Sequence, residues 1–242
     1  MKKKLVISSI SSKLREEYFF LSLNNKSDLN NTVSLVKNLK NDTYAFKIGY
    51  EFFLNFGING YKSIQQENVK IFLDLKLHDI PNTVKSGIDA ITKLNPYFTT
   101  IHISGGDQMQ KAAVSAKKNT KILGVSILTS LDSSQTKKYN YNDNIEKIVA
   151  DYTEYALKNN LDGVVCSPKE IKIVKKIASN NLIIITPGIR PSSSLSTQDD
   201  QKRFMSPKEA IRYGANYLVI GRPITQSSKP LKTVQTINST LE

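Results

Sequence analysis

Val69–Leu77 reads VKIFLDLKL, and this stretch decides the architecture. Its β-prone, almost continuous apolar character is that of a strand covered on both faces, the habit of parallel sheets flanked by crossover helices. Seven further runs share it: YFFLSL from Tyr18, YAFKIG from Tyr44, YFTTIHI from Tyr97, KILGVSIL from Lys121, DGVVCS from Asp162, NLIIITPG from Asn181 and NYLVIG from Asn216. Between them lie amphipathic stretches such as LNNTVSLVKNL, VKSGIDAITKL, IEKIVADYTEYALKN and PKEIKIVKKIA, with apolar residues three and four apart. This alternation predicts a parallel sheet. Eight such units in 242 residues fit a (β/α)8 TIM barrel, which takes about 250 residues. An open doubly wound sheet is the competing reading, but it normally carries a glycine-rich turn after its first strand, and LSLNNKSD (Leu21–Asp28) has none.

A barrel gathers its functional residues where strands end and βα loops begin. After Phe72, the sequence FLDLKLHDIPNT sets Asp74 and Lys76 on one side of the strand by alternation, with Leu73, Leu75 and Leu77 on the other. Asp79 follows in the loop. Ile80 precedes Pro81 and is held extended, and Asn82 or Thr83 is placed to cap the next helix. Lys47 falls at the end of the second strand, and Thr129 and Ser130 follow the fifth. The last two strands run into TPGIRP and IGRP, which pair Gly188 with Arg190 and Gly221 with Arg222. Glycine lets the backbone approach a ligand and arginine offers a two-pronged donor, so two such motifs in succession point to a phosphate site. Between them, PSSSLSTQDDQKRF (Pro191–Phe204) is long, polar and aperiodic, which fits a lid that brings Gln201 or Arg203 over a substrate, with plain disorder as the competing reading.

Lys and Arg number 34 against 21 Asp and Glu, a formal charge of +13. The excess is scattered lysine without an arginine block or an aromatic-basic stripe, so it reads as a solvated surface rather than a nucleic-acid interface. Cys166, the only cysteine, excludes an intrachain disulfide and sits in an apolar run as a small core residue. His78 and His102 have no metal-ligand spacing around them, and no metal site is expected. Residues 1–17 read as an N-terminal extension of a cytoplasmic protein: their apolar run breaks at serines and no small-residue cleavage site follows. Residues 18–242 read as a single barrel, and no stretch approaches the roughly 20 apolar residues that cross a membrane.

FLDLKLHDIPNT, HISGG, LTS, DGVVCS, TPGIRP and VIGRPIT, in this order and spacing, closely resemble orotidine 5′-phosphate decarboxylase of the bacterial type, over the chain from about Tyr18 onward. The resemblance implies a homodimer that converts orotidine 5′-monophosphate to UMP and carbon dioxide in pyrimidine biosynthesis, without metal or organic cofactor. It implies Lys76 as proton donor to pyrimidine C6, Asp74 beside the departing carboxylate, and Lys47 and Asp79 completing a charge array. It further implies that Asp79 and Thr83 reach into the partner's site, that Thr129 contacts the base, and that Arg190, Gln201, Gly221 and Arg222 contact substrate and phosphate. Where the family pattern has an aspartate that contacts a ribose hydroxyl, this chain has Asn24, which predicts weaker ribose binding with the chemistry intact. A metal-dependent sugar-phosphate decarboxylase or aldolase on the same barrel is a second reading, separable by EDTA. A phosphate or nucleic-acid binder without catalysis is a third, which steep salt dependence without turnover would mark.

Overall fold

The computed structural model describes residues 19–23, 28–138, 144–190 and 205–241. The N-terminal extension, Asn24, the lid and its Gln201 and Arg203 lie outside the described residues. The eight expected strands are β1 (Phe19–Leu23), β2 (Ala45–Ile48), β3 (Lys70–Leu77), β4 (Phe98–His102), β5 (Lys121–Val125), β6 (Gly163–Val165), β7 (Ile183–Thr186) and β8 (Tyr217–Ile220). They follow one another in order around a closed parallel barrel. Closure is made by β1, which pairs with β2 through Ser22 opposite Lys47 and with β8 through Leu21 opposite Ile220. The open-sheet alternative is thereby excluded.

Helices return the chain between strands: α1 (Leu29–Leu39), α2 (Tyr50–Gln65), α3 (Pro81–Thr92), α4 (Gly106–Ser115), α5 (Ser133–Lys138), α6 (Ile145–Lys158), α7 (Ile171–Ala178), α8 (Pro207–Tyr213), α9 (Arg222–Thr225) and α10 (Pro230–Ser239). Local chemistry fixes their starts. Asp28 accepts the Asn30 N–H at 2.8 Å ahead of α1, and Ser206 and Glu209 form a reciprocal capping box ahead of α8. Helix α3 departs from the sequence reading. Pro81 opens it directly, with extended Ile80 (φ −59°, ψ 153°) in the cap position and no side-chain cap, so Asn82 and Thr83 lie inside its first turn. No helix among the described residues is long and apolar enough to cross a membrane.

Two apolar layers follow from this winding. An outer layer packs strand residues such as Leu21, Ile48, Leu73 and Ile101 against helix residues such as Val36, Phe52, Ile88 and Val174. Inside the barrel, Phe20, Phe72, Phe98, Leu123, Ile185 and Val219 fill the N-terminal half. The three phenylalanines meet edge to face with ring centroids 5.6–5.9 Å apart. This aromatic plug is a floor, and above it the barrel interior opens into a cavity at the C-terminal rim.

Candidate active site

The rim cavity has a volume of about 870 Å³. Lys47, Asp74 and Lys76 enter it from β2 and β3, Thr129 from the loop after β5, and Gly188, Arg190, Gly221 and Arg222 from the ends of β7 and β8. The expectation that these residues share one rim is met. Phe72, Val125, Val165 and Val219 supply an apolar base to the same space.

Its most polar wall is a chain of three charges. Lys76 Nζ lies 2.7 Å and Lys47 Nζ 3.1 Å from the same oxygen, Oδ2 of Asp74. The other oxygen, Oδ1, accepts from the Thr100 hydroxyl at 2.9 Å. Asp74 is buried, at 6% exposure. Burial alone pushes its carboxyl up, but the two ammonium groups and their hydrogen bonds outweigh that and hold it at about 2. The carboxylate is therefore a fixed negative post between two cations, both on the cavity side.

The backbone around Lys76 is not a regular strand. Its φ is +43°, in the left-handed region that a non-glycine side chain rarely occupies. The pairing of β3 with β4 slips between Leu73 and Leu77 at the same place. Simple alternation therefore does not set this side chain. The Lys76 N–H instead donates to the Thr100 hydroxyl at 2.8 Å, while the Leu75 carbonyl accepts from the Tyr50 hydroxyl at 2.8 Å. Thr100 thus binds both the backbone of Lys76 and the carboxylate of Asp74. Its only trace in the sequence is a hydroxyl beside β-branched neighbours in YFTTIHI, which looks like ordinary strand composition.

At the opposite side of the cavity, Gly188 has φ +80°, which suits glycine, and brings the backbone to the cavity wall. A Cβ on Gly221 would stand 3.2 Å from Ser22 Cβ, so a side chain there would press β1 back by a few tenths of an ångström. Arg190 is 7% exposed and donates from Nη1 to the Ile189 carbonyl at 3.1 Å. Its backbone N–H donates to the Met205 carbonyl at 3.0 Å, tying together the two ends of the stretch between them.

Asp79 and Thr83 do not line this cavity. They stand at an adjoining depression of about 460 Å³ with Tyr50, His78 and His102, and Lys76 borders both spaces. Asp79 is exposed and accepts the Ile80 N–H at 2.7 Å. The two imidazoles lie 5.2 Å apart, centroid to centroid. Partial burial, then the nearby His78 and Lys76, hold His102 below the usual histidine range, against the opposing pull of Asp74. Cys166 also touches the rim cavity, and burial pushes its thiol far up, so it is inert there. Among the described residues no group of three or more His, Cys, Asp or Glu is placed to hold a metal ion.

The chain that carries this charged triad and these two Gly-Arg turns has close relatives. The sequence model of the Orotidine 5'-phosphate decarboxylase / HUMPS family matches residues 18–237. The chain belongs to this family. It is 44% identical over 213 residues to an orotidine 5'-phosphate decarboxylase of Ehrlichia chaffeensis, covering 87% of this chain and 91% of that protein. It is 42% identical over 217 residues to one of Buchnera aphidicola, covering 88% of this chain and 91% of that protein. The crystal structure of orotidine 5'-phosphate decarboxylase from Lactobacillus acidophilus superposes with a TM-score of 0.80 at 33% identity, covering 93% of this chain and 99% of the other. Two cavity residues that the sequence reading passed over are Ser22 and Glu51. Glu51 stands one turn beyond Lys47 in the first turn of α2, where an acidic residue reads as a partner of the helix dipole.

Proposed function

We propose that the chain is an orotidine 5′-monophosphate decarboxylase that releases UMP and carbon dioxide using its own side chains as the only catalysts. The single observation that carries the reading is the geometry at Asp74: two ammonium groups on one carboxylate oxygen, at 2.7 and 3.1 Å, on the wall of the cavity. Family membership supplies the substrate class.

In this reading the phosphate rests against the Gly188–Arg190 and Gly221–Arg222 turns, and the pyrimidine lies toward Thr129 with C6 at Lys76. Arg190 and Gln201 complete the substrate contacts, Gln201 from the lid. The C6–carboxylate bond breaks heterolytically, CO2 departs, and the electron pair stays in a ring-plane orbital at C6 that the π system cannot delocalise. An ammonium fixed at that carbon stabilises the developing charge with no reorganisation. Lys76 then gives its proton to C6, forming the C–H bond of UMP, and its neutral amine is reprotonated from water. Asp74 crowds the substrate carboxylate with like charge while keeping both lysines charged. At an effective dielectric near 20 one ion contact at about 4 Å is worth roughly 4 kcal/mol. That falls short of the ~8–23 kcal/mol that enzymes supply, so remote phosphate binding contributes the remainder.

The reading includes a homodimer in the cytoplasm, serving the last step of pyrimidine biosynthesis. Tyr50, Leu54, Ile58 and Ile80 are 52%, 80%, 50% and 67% exposed, an unusual apolar surface on α2 and the loop before α3. Asp79 and Thr83 stand at the edge of that surface and outside their own chain's rim cavity, which supports their service in a partner's site. The test follows the absorbance of orotidine 5′-monophosphate with wild type and Lys76→Ala. Wild type turns over, and the variant loses on the order of 10⁴-fold or more in kcat, because electrostatic stabilisation and proton transfer go together. Full activity of Lys76→Ala removes the proton-donor role, and an inactive wild type removes the reading.

A further inference from the structure

Around the rim, the short arc from the Gly221–Arg222 turn to the Asp74–Lys76 array passes β8, β1, β2 and β3 in order. Ser22 of β1, then Lys47 and Glu51 at the end of β2 and the start of α2, form the wall along that arc. In a nucleotide the sugar joins phosphate to base. With the phosphate at one end of the arc and the reacting carbon at the other, this wall flanks the ribose.

Glu51 stands out on it. Its Oε1 is buried and has no hydrogen-bond partner among the described residues, unlike every oxygen of Asp74. A buried acceptor left unmade costs about 1–3 kcal/mol, and such atoms call for a partner. Rotation about the terminal torsion of a glutamate is broad and turns either oxygen to the cavity without moving the helix. The cavity is otherwise rich in donors, Lys47, Lys76, Arg190 and Arg222. Those groups suit the anionic ends of a nucleotide, whereas an acceptor-only carboxylate suits hydroxyl donors.

We propose that Glu51 is a sugar-recognition residue, accepting a hydrogen bond from the vicinal ribose diol and setting a preference for ribonucleotides over deoxyribonucleotides. The inference rests on the decarboxylase reading and adds a residue to its substrate contacts. A site built to bind a hydroxyl rejects the analogue that lacks it, because the acceptor stays buried and unpaired.

The test compares kcat/KM for orotidine 5′-monophosphate and its 2′-deoxy and 3′-deoxy analogues in wild type, Glu51→Ala and Glu51→Gln. Wild type discriminates against one deoxy analogue by on the order of tenfold or more, the scale of a hydrogen bond to a charged acceptor. In Glu51→Ala that ratio collapses toward one, and Glu51→Gln, which keeps volume and one amide oxygen, falls between. A ratio unchanged in both variants overturns the assignment. So does a uniform loss on all three substrates with a lowered Tm, which is what a purely helix-stabilising role gives. The same comparison with UMP and its 2′- and 3′-deoxy forms in a calorimeter reads the assignment without turnover. Inactive wild type with intact discrimination in binding sinks the decarboxylase reading and leaves Glu51 in place.

Discussion

Asp74→Asn is the most informative single change, because asparagine is close in shape to the protonated acid and retains an acceptor for the Thr100 hydroxyl. Asp74 holds its carboxyl at about 2 rather than the ordinary 3.8. That difference corresponds to about 2 kcal/mol of folding stability present only when the group is charged. Loss of a buried ion-pair partner can cost more, about 3–5 kcal/mol, where the remaining charge is stranded. Here Lys47 and Lys76 keep 13% and 26% of their side-chain surface toward the cavity, so water reaches them and the smaller figure applies. Since the folded-state value lies below the unfolded one, the contribution is complete above about pH 4–5 and drains away as pH falls through about 2. The expected result is a Tm lowered by roughly 4–8 °C at neutral pH. Urea unfolding measured across acid pH should show wild type converging on the variant as Asp74 takes up its proton. A variant as stable as wild type at neutral pH, with a parallel acid profile, refutes the idea that this carboxylate is stabilised by its two cations. Activity should fall alongside, since both ammonium groups lose the post that aims them.

Three other outcomes are expected. Arg222→Ala should raise KM for orotidine 5′-monophosphate by on the order of tenfold or more while leaving the slow reaction of the phosphate-free nucleoside unchanged; equal losses on both would deny it a phosphate contact. Imidazole NMR should show His102 titrating below the ordinary 6.5, and His78→Ala should move it upward without restoring it, because burial is the larger cause; a value at or above 6.5 in wild type contradicts this. Leu54→Asp should turn the proposed dimer into monomers in sedimentation and abolish turnover, since each site then lacks its partner's Asp79; an active monomer would place the whole site in one chain.

The repeat of apolar runs was enough to read the barrel, because strands buried on both faces and amphipathic helices leave unlike periodicities in the sequence. Asp74 and Lys76 were legible for a related reason, since charges inside such a run must have partners, and Lys47 by its place at the end of the second strand. What the sequence concealed depends on neighbours distant along the chain. The left-handed turn at Lys76 is secured by Thr100 from the next strand and by Tyr50 from α2, and alternation within β3 holds no trace of either. The start of α3 was misplaced because Pro81 makes a side-chain cap unnecessary. Glu51 was concealed by ambiguity, as an acidic residue in a first helical turn has a sufficient local reason to be there.

The stack of Phe20, Phe72 and Phe98 fills the far half of the barrel, so the described cavity has an apolar bottom and faces the C-terminal rim. On the proposed function, a nucleotide held with its phosphate at the lip stands between that bottom and solvent. Gas formed at the bottom has to slip past the bound product or wait for it to go. The order of departure is then set by the room left beside the nucleotide at that lip.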